Sequence, residues 1–390
     1  MRSILTSWVA LCMILALACS HGSQTPAPLE SKASDEPTDC NHQGGPFVAF
    51  FSYYEPSYEI GLAAADGSCI QRLTNNNDAD GFVETCHEPR GIFCPSLGAT
   101  GLSWSPDSEH ILFTSDRDGD AEVYEMNRDG SNVRQLTDNS ADDIVGDNAW
   151  SPNGDGIVFT TDRDGNREIY SMRSDGQEQT NLSRDEAGDF NPQWSPDGSR
   201  IVFLSTRLAP ERFYDTDIFV MNRDGSSVSL VTDGPDQVGA PSWSPKSDAV
   251  AYVSFCCGDA ISREEIFLVN IDGSGRKLFV PDLASNPEWS PKGDAIAFYA
   301  CPGRNCRENG AGGIYIKSAD GSADGTGGKQ FTASPYDTQS FRWSPDGTKL
   351  AYQALGTGDD KVHLFVLNTD GSNPREISDR LSLNPVWSPR

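Results

Sequence analysis

The sequence predicts an all-β fold, a seven-bladed β-propeller of four-stranded antiparallel blades, from two repeated motifs. The tripeptide Trp-Ser-Pro occurs seven times at intervals of 44 to 54 residues, the length of one blade. Its tryptophans are Trp104, Trp150, Trp194, Trp243, Trp289, Trp343 and Trp387. The expected turn between the third and fourth strands, Asp-Gly-Ser or Asp-Gly-Gln, begins at Asp66, Asp129, Asp175, Asp224, Asp272, Asp320 and Asp370. Two independent motifs therefore give the same blade count.

Each blade is expected to contain four strands, A to D, with strand A innermost. In the third blade, residues 148–150 form strand A, 157–161 form strand B, 168–172 form strand C, and strand D ends near Leu182. These β-rich runs alternate with Asn-Gly and Asp-Gly turns, which is the pattern of consecutive hairpins.

The two ends of the repeat predict how the ring closes. The first Asp-Gly-Ser turn precedes the first Trp-Ser-Pro, and the last Trp-Ser-Pro stands at the C-terminus. The first blade therefore lacks a strand A, and the C-terminal strand has no blade of its own. We expect the C-terminal strand to complete the first blade, which leaves no open sheet edge. The propeller is assigned to residues 46–390.

The first residues have the pattern of an export signal. Residues 4–18 are almost wholly apolar but too short to span a bilayer, so 1–18 is interpreted as a signal peptide. Cys19 follows directly and is the predicted lipidation site of a bacterial lipoprotein. Cleavage after Ala18 without lipidation is the alternative. Residues 19–45 are predicted to be a disordered tether. The expected location is exported, as a periplasmic or outer-membrane or cell-surface lipoprotein attached to the membrane only through lipid.

Eight further cysteines are candidates for disulfides, because an even number in an exported chain favours pairing. They are Cys40, Cys69, Cys86, Cys94, Cys256, Cys257, Cys301 and Cys306. A local Cys86–Cys94 bridge is the preferred pair. Cys301 can pair with Cys306 or across blades with Cys256 or Cys257.

The formal net charge of −27 excludes some classes of partner. Nucleic acid and anionic membrane surfaces would be approached against repulsion, so neither is expected as a ligand. Cationic partners and divalent metals remain compatible with this charge. No cofactor is predicted, and the protein is expected to be a monomer.

The repeated string W-S-P-D-G-x-x-[IL]-x-F-x-[ST]-x-R-D-G-x-x-E-[IV]-Y-x-M-N-x-D-G-S resembles the propeller repeat of the TolB family. It is nearly complete at residues 104–131 and 194–226. The resemblance covers roughly residues 46–390 and implies a periplasmic protein-binding component. That family carries an α/β domain before a six-bladed propeller, whereas this sequence has a tether and seven repeats.

The sequence has few marks of an enzyme or a metal site. It contains no Gly-x-Ser-x-Gly motif, and its five histidines do not cluster. The segment Asp116-Arg-Asp118-Gly-Asp120 begins like a calcium loop, but its Gly119 stands at the fourth position and not the sixth. We interpret it as a turn and predict no metal. A non-catalytic protein is favoured, although a site made only of carboxylates stays open.

The long irregular segments lie in the B–C and D–A connections, on one face of the ring, where function in such frames is expected. Residues just before each tryptophan are expected to line the channel mouth on that face and to bind a protein or peptide partner in the cell envelope. The candidates are Asp147, Asn191, Gln193, Asn286, Glu288, Ser340, Arg342 and Asn384. Two alternatives stay open. These residues can instead cap strands, or their carboxylates can serve a propeller enzyme or carbohydrate-binding protein.

Overall fold

The computed structural model describes residues 40, 45–54, 57–75, 80, 101–208, 215–232, 234, 236–256, 263–281, 283–301, 312–321, 328–332, 340–355, 361–380 and 382–390. These residues form twenty-eight β-strands in seven antiparallel sheets of four strands each, which confirms the predicted fold. None of them belongs to a helix long and apolar enough to cross a bilayer.

The strands follow one another blade by blade. The first three blades contain β1 (Phe47–Tyr54), β2 (Ser57–Ala64), β3 (Ile70–Arg72), β4 (Leu102–Trp104), β5 (His110–Ser115), β6 (Glu122–Asn127), β7 (Arg134–Gln135), β8 (Asp143–Ile144), β9 (Gly156–Thr161), β10 (Glu168–Arg173) and β11 (Thr180–Asn181). The fourth and fifth contain β12 (Asp189–Trp194), β13 (Arg200–Ser205), β14 (Asp217–Asn222), β15 (Ser229–Leu230), β16 (Gln237–Trp243), β17 (Ala249–Cys256), β18 (Arg263–Asn270) and β19 (Lys277–Val280). The last two contain β20 (Ala284–Trp289), β21 (Ala295–Ala300), β22 (Gly313–Ser318), β23 (Lys329–Gln330), β24 (Phe341–Trp343), β25 (Lys349–Leu355), β26 (Val362–Asn368) and β27 (Arg375–Ser378), and β28 is Ser382–Trp387.

The C-terminal strand completes the first blade, as predicted. The strand order of that sheet is β28-β1-β2-β3, and β28 pairs antiparallel with β1, Trp387 opposite Val48. Residues from both ends of the repeat thus share one sheet, so the ring is closed by hydrogen bonds between its first and last strands.

The inner strand of the third blade differs from the prediction. It consists of β8 and, farther along, a single bridge between Trp150 and Ile157. Asn148 between them has a φ of 53°, a left-handed conformation that interrupts an extended strand. The expected strand at 148–150 is therefore reduced to one pairing.

The hydrophobic core lies between consecutive sheets. Trp243 of the fifth blade packs in one cluster with Phe190, Val202 and Val220 of the fourth. Trp194 of the fourth blade does the same with Val158 and other residues of the third. Because a sheet buries its two faces against two neighbours, no blade has a complete core alone.

One disulfide ties the start of the domain to its first blade. Cys40 is buried and bonded to Cys69, which lies between β2 and β3. The sequence placed Cys40 in the tether, whereas the structure places it against the propeller. Cys301 is disulfide-bonded as well, and Cys256 is the last residue of β17. The predictions made for Cys19, Cys86, Cys94, Cys257 and Cys306 lie outside the described residues.

Candidate functional site

The tryptophans of the repeat connect neighbouring inner strands. Five indole N–H groups donate to the backbone carbonyl of the residue that precedes the tryptophan of the previous blade. The pairs are Trp104 to Val386 (3.1 Å), Trp194 to Ala149 (3.1 Å), Trp243 to Gln193 (3.4 Å), Trp343 to Glu288 (3.2 Å) and Trp387 to Arg342 (2.9 Å). The rings are mostly buried between blades, so the tryptophans are structural residues that hold the inner strands in place.

Three of the predicted asparagines shape the backbone. Asn191, Asn286 and Asn384 have φ values of 56°, 51° and 50°. Each sits at a register shift between the inner strand and its neighbour, and each is followed by a proline, which cannot donate to the sheet. Asparagine tolerates this left-handed conformation better than most residues. Their first role is therefore to form a bulge in strand A, which differs from the strand capping considered as an alternative.

A charged pair spans the central channel. Nη2 of Arg342 in the seventh blade donates to Oδ2 of Asp147 in the third. Counted around a ring of seven, these blades are three apart, the greatest separation possible. Both side chains are only partly exposed, Arg342 at 26% and Asp147 at 17%. A contact between inner strands so far apart around the ring must cross its centre.

Glu288 of the sixth blade adds a second carboxyl to this centre. Its Oε1 accepts the backbone N–H of Trp343 at 3.0 Å. Its Oε2 is buried and has no hydrogen-bond partner among the described residues. Burial raises the pKa of Glu288 to about 7, with Arg342 opposing that rise and Asp147 adding to it. This carboxyl can therefore change its charge near neutral pH.

The other candidates are arranged along the same strands. Gln193 is buried, Ser340 is half-buried, and the backbone carbonyl of Ser340 accepts from the N–H of Gln353 at 3.2 Å. The residue before the tryptophan lies opposite the third residue of strand B, in the pairs Gln193–Val202, Glu288–Ala297 and Arg342–Ala351. These positions are near the short A–B turns. We call Asp147, Glu288 and Arg342 the charged centre, and the face that carries the B–C and D–A connections the long-loop face. The charged centre therefore lies deeper in the channel than the predicted mouth on the long-loop face.

A set of arginines near the start of the inner strands was not predicted from the sequence. Arg117, Arg163 and Arg207 follow strand B of the second, third and fourth blades. Each donates at 2.6 Å to a buried aspartate at or before the start of strand A, in the pairs Arg117–Asp80, Arg163–Asp143 and Arg207–Asp189. Their guanidinium groups also lie over aromatic rings of their own blade. The signal that could have found them is the recurring Ser/Thr-x-Arg after strand B.

Comparison with known proteins identifies the family. The family model for the TolB beta propeller domain matches residues 139–218 and 209–390, which is more than half of the chain. The chain belongs to the TolB β-propeller family. This confirms the resemblance seen in the repeated string.

Individual relatives of this TolB-family propeller are distant. An uncharacterised protein of Agrobacterium fabrum is 30% identical over 169 residues, which are 40% of this chain and 39% of that protein. An oligogalacturonate lyase from Vibrio parahaemolyticus aligns with a TM-score of 0.59 at 14% identity, covering 86% of both chains. A puromycin-hydrolysing peptidase of Mycobacterium tuberculosis aligns with a TM-score of 0.56 at 12% identity, covering 85% of this chain and 53% of the peptidase.

At such identities the likeness to the two solved structures shows the fold alone. The chain spans about two fifths of the length of the Agrobacterium relative.

Proposed function

We propose that this TolB-like propeller is a non-catalytic binding scaffold of the cell envelope. It binds a protein or peptide partner through its long-loop face, and a segment of that partner reaches the charged centre of the channel. The observation that carries the proposal is the group formed by Asp147, Glu288 and Arg342, in which Glu288 and Arg342 lie on inner strands and Asp147 lies between β8 and β9. A rigid frame that presents few polar groups in a concave space is typical of recognition sites.

The charges favour a basic segment as the partner. Asp147 and Glu288 supply two carboxyls against the one guanidinium of Arg342, and Oε2 of Glu288 has no hydrogen-bond partner among the described residues. A lysine side chain or a terminal amine can approach the partly exposed carboxylate of Asp147, which is 17% exposed. The formal net charge of −27 would also speed the approach of a cationic partner.

The test is capture of a partner by purified protein from envelope extracts. We expect one envelope protein to be retained by the wild type and lost with the double variant Asp147→Asn/Glu288→Gln. The matched control is Glu178→Gln, which neutralises a carboxylate that is 72% exposed on the turn between β10 and β11. Equal retention by wild type, double variant and control would contradict a role for the channel in binding.

A second function is favoured by one observation, the pKa of Glu288 near 7 beside a second carboxyl. Such a pair is suited to proton transfer, so a propeller enzyme or carbohydrate-binding protein is the alternative. A glycan screen by thermal shift separates the two. A specific shift that disappears in both Asp147→Ala and Glu288→Ala would favour the alternative over a protein-binding scaffold.

Export and lipid anchoring are part of the proposal and rest on the leader sequence and the family. Cys19 would carry the lipid and the segment up to residue 45 would separate the propeller from the membrane. Incorporation of a labelled fatty acid into wild type but not into Cys19→Ser is expected. Equal labelling of both would show that Cys19 is not the anchor.

A further inference from the structure

An acidic cluster lies on the long-loop face at the junction of the second and third blades. Asp118 and Asp120 stand in the turn between β5 and β6, and Glu122 is the first residue of β6. One carboxylate oxygen from each lies within 4.8 Å of the other two. Burial and then the negative charges of Asp118, Asp142 and other aspartates raise the pKa of Asp120. The cluster therefore concentrates negative charge without a cation inside it.

Two buried carboxylates, Glu122 of the cluster and Asp143 next to it, have oxygens without a donor among the described residues. Glu122 is fully buried, and its Oε1 accepts the N–H of Asn139 at 2.6 Å, but its Oε2 has no hydrogen-bond partner in the described part of the chain. Asp143 is also fully buried. Its Oδ2 accepts from Asn139 and Arg163 at 2.8 and 2.6 Å, while its Oδ1 has no partner among the same residues. Buried oxygens of this kind are costly unless a positive group faces them.

The third blade has an amide at the position of Asp120. Its equivalent turn has Asp164, Asn166 and Glu168 where the second blade has Asp118, Asp120 and Glu122. The amide nitrogen of Asn166 donates to the carbonyls of Asp185 and Ala187, both at 2.9 Å, and weakly to Oε1 of Glu168 at 3.4 Å. The two hydrogens of the Asn166 amide thus satisfy these backbone carbonyls.

Asp120 stands where Asn166 stands, and a carboxylate has no hydrogen to donate. The second blade therefore has an additional negative charge at the position where the third blade has an amide donor. A bound cation can balance this charge.

We propose that Asp118, Asp120 and Glu122 bind a divalent cation, Ca²⁺, at the junction of the second and third blades, with Asp143 adding negative charge behind them. Carboxylate oxygens are the ligands that Ca²⁺ prefers, and Ca²⁺ accepts flexible arrangements that an octahedral Mg²⁺ site does not. The ligands come from a turn and the following strand, which explains why the spacing does not match an EF-hand loop. The sequence analysis predicted a plain turn and no metal at this place.

The bound ion would join two elements of the ring. It would fix the turn between β5 and β6 against the start of β8, where Asp143 lies. Stability of the propeller would then depend on the free Ca²⁺ concentration, independently of whether the channel binds a partner.

The test is thermal unfolding of chelator-treated full-length protein in EDTA and in CaCl₂, together with calorimetric titration by CaCl₂. At a Ca²⁺ concentration one hundred times Kd we expect the Tm of the wild type to rise by about 4 °C. Asp120→Asn restores the amide found in the third blade. We expect this variant to lose the response to CaCl₂ and to have a higher Tm in EDTA than the wild type.

Two further variants keep the test decisive. Asp118→Asn changes an exposed ligand with little risk to folding and should weaken Ca²⁺ binding at least tenfold. Asp164→Asn changes the equivalent residue of the third blade and should leave the response unchanged. An identical Tm of the wild type in EDTA and CaCl₂ with no heat of binding overturns the proposal. So does an Asp120→Asn variant that responds as the wild type does.

Discussion

The indole N–H groups of the repeat differ in their hydrogen bonding, although the tryptophans occupy equivalent positions. Nε1 of Trp387 donates to the carbonyl of Arg342 at 2.9 Å. Nε1 of Trp150 is buried without a partner among the described residues, and the same holds for Trp289. The rings of Trp387 and Trp150 are buried to nearly the same extent, 6% and 7% exposed. A comparison of substitutions at Trp387 and Trp150 can therefore separate the contribution of the hydrogen bond to stability from that of packing.

We predict that Trp387→Phe costs about 1 kcal/mol more in the free energy of unfolding than Trp150→Phe. Both changes remove a similar buried area, but only the first breaks a hydrogen bond. Denaturant unfolding of the two variants measures the difference. Equal losses of stability would mean that the ring of indole hydrogen bonds contributes nothing.

Glu288 gives the propeller a predicted dependence on pH. Burial raises its pKa to about 7 from the ordinary value of 4.5, so the folded protein binds the proton more tightly than the unfolded chain. Stability from this group is complete below about pH 4.5 and is lost as the pH rises through 7. Between pH 5 and pH 8 the loss is about 2 kcal/mol.

The variant Glu288→Gln isolates this contribution, because its amide resembles the protonated carboxyl and keeps an acceptor for the N–H of Trp343. We expect the variant to lose about 2 kcal/mol less than the wild type over the same pH range. Unfolding in urea at pH 5 and pH 8 provides the measurement. A wild type and variant with parallel pH profiles would show that Glu288 ionises normally.

At the scale of strands, each inner strand of the third and fourth blades begins at an aspartate paired with an arginine from the following hairpin. Asp143 is fully buried beneath Arg163, whose guanidinium lies 4.8 Å from the ring centroid of Tyr170. From the sequence, the equivalent segment of the second blade, residues 116–120, is interpreted as a plain turn. The partner of Arg163 lies twenty residues earlier, at the start of β8, and local turn chemistry does not reveal such a pairing.

We predict that Arg163→Gln destabilises the protein by about 3 kcal/mol, because it leaves a buried carboxylate with one donor fewer. The control is Arg173→Gln, which breaks exposed ion pairs to Asp175 and Glu178 and should cost less than about 0.5 kcal/mol. Thermal or urea unfolding of the two variants compares them. A similar small cost for both would show that the buried pair does not hold the start of the strand.

At the scale of the whole molecule, the repeat determines the number of blades and the closing strand, but not which side chains meet in the central channel. Seven Trp-Ser-Pro motifs and seven Asp-Gly turns were enough to predict the blade count and the closing strand, since both depend on spacing alone. Which inner residues meet depends on the bulges at Asn191, Asn286 and Asn384 and on the diameter of the ring. The sequence therefore predicted Asp147, Glu288 and Arg342 as candidates without predicting that they meet across the channel.

The burial of Cys40 is a second feature that the sequence does not predict. Its surroundings in the sequence are polar and rich in serine and proline, which is typical of a tether. Its covalent bond to Cys69 and a hydrogen bond from its backbone N–H to Oε1 of Gln71, at 3.3 Å, place it against the first blade. A disulfide partner cannot be deduced from composition, so this contact could not be predicted.

The charged centre of the channel is defined above all by the contact between Asp147 and Arg342, and a double-mutant cycle with Asp147→Asn and Arg342→Gln tests this contact most directly. The two residues are 195 positions apart, so no local effect can couple them. If their blades face each other across the channel, the free energies of unfolding should be non-additive by about 1 kcal/mol or more. Additivity within about 0.5 kcal/mol would contradict a charged centre that spans the channel.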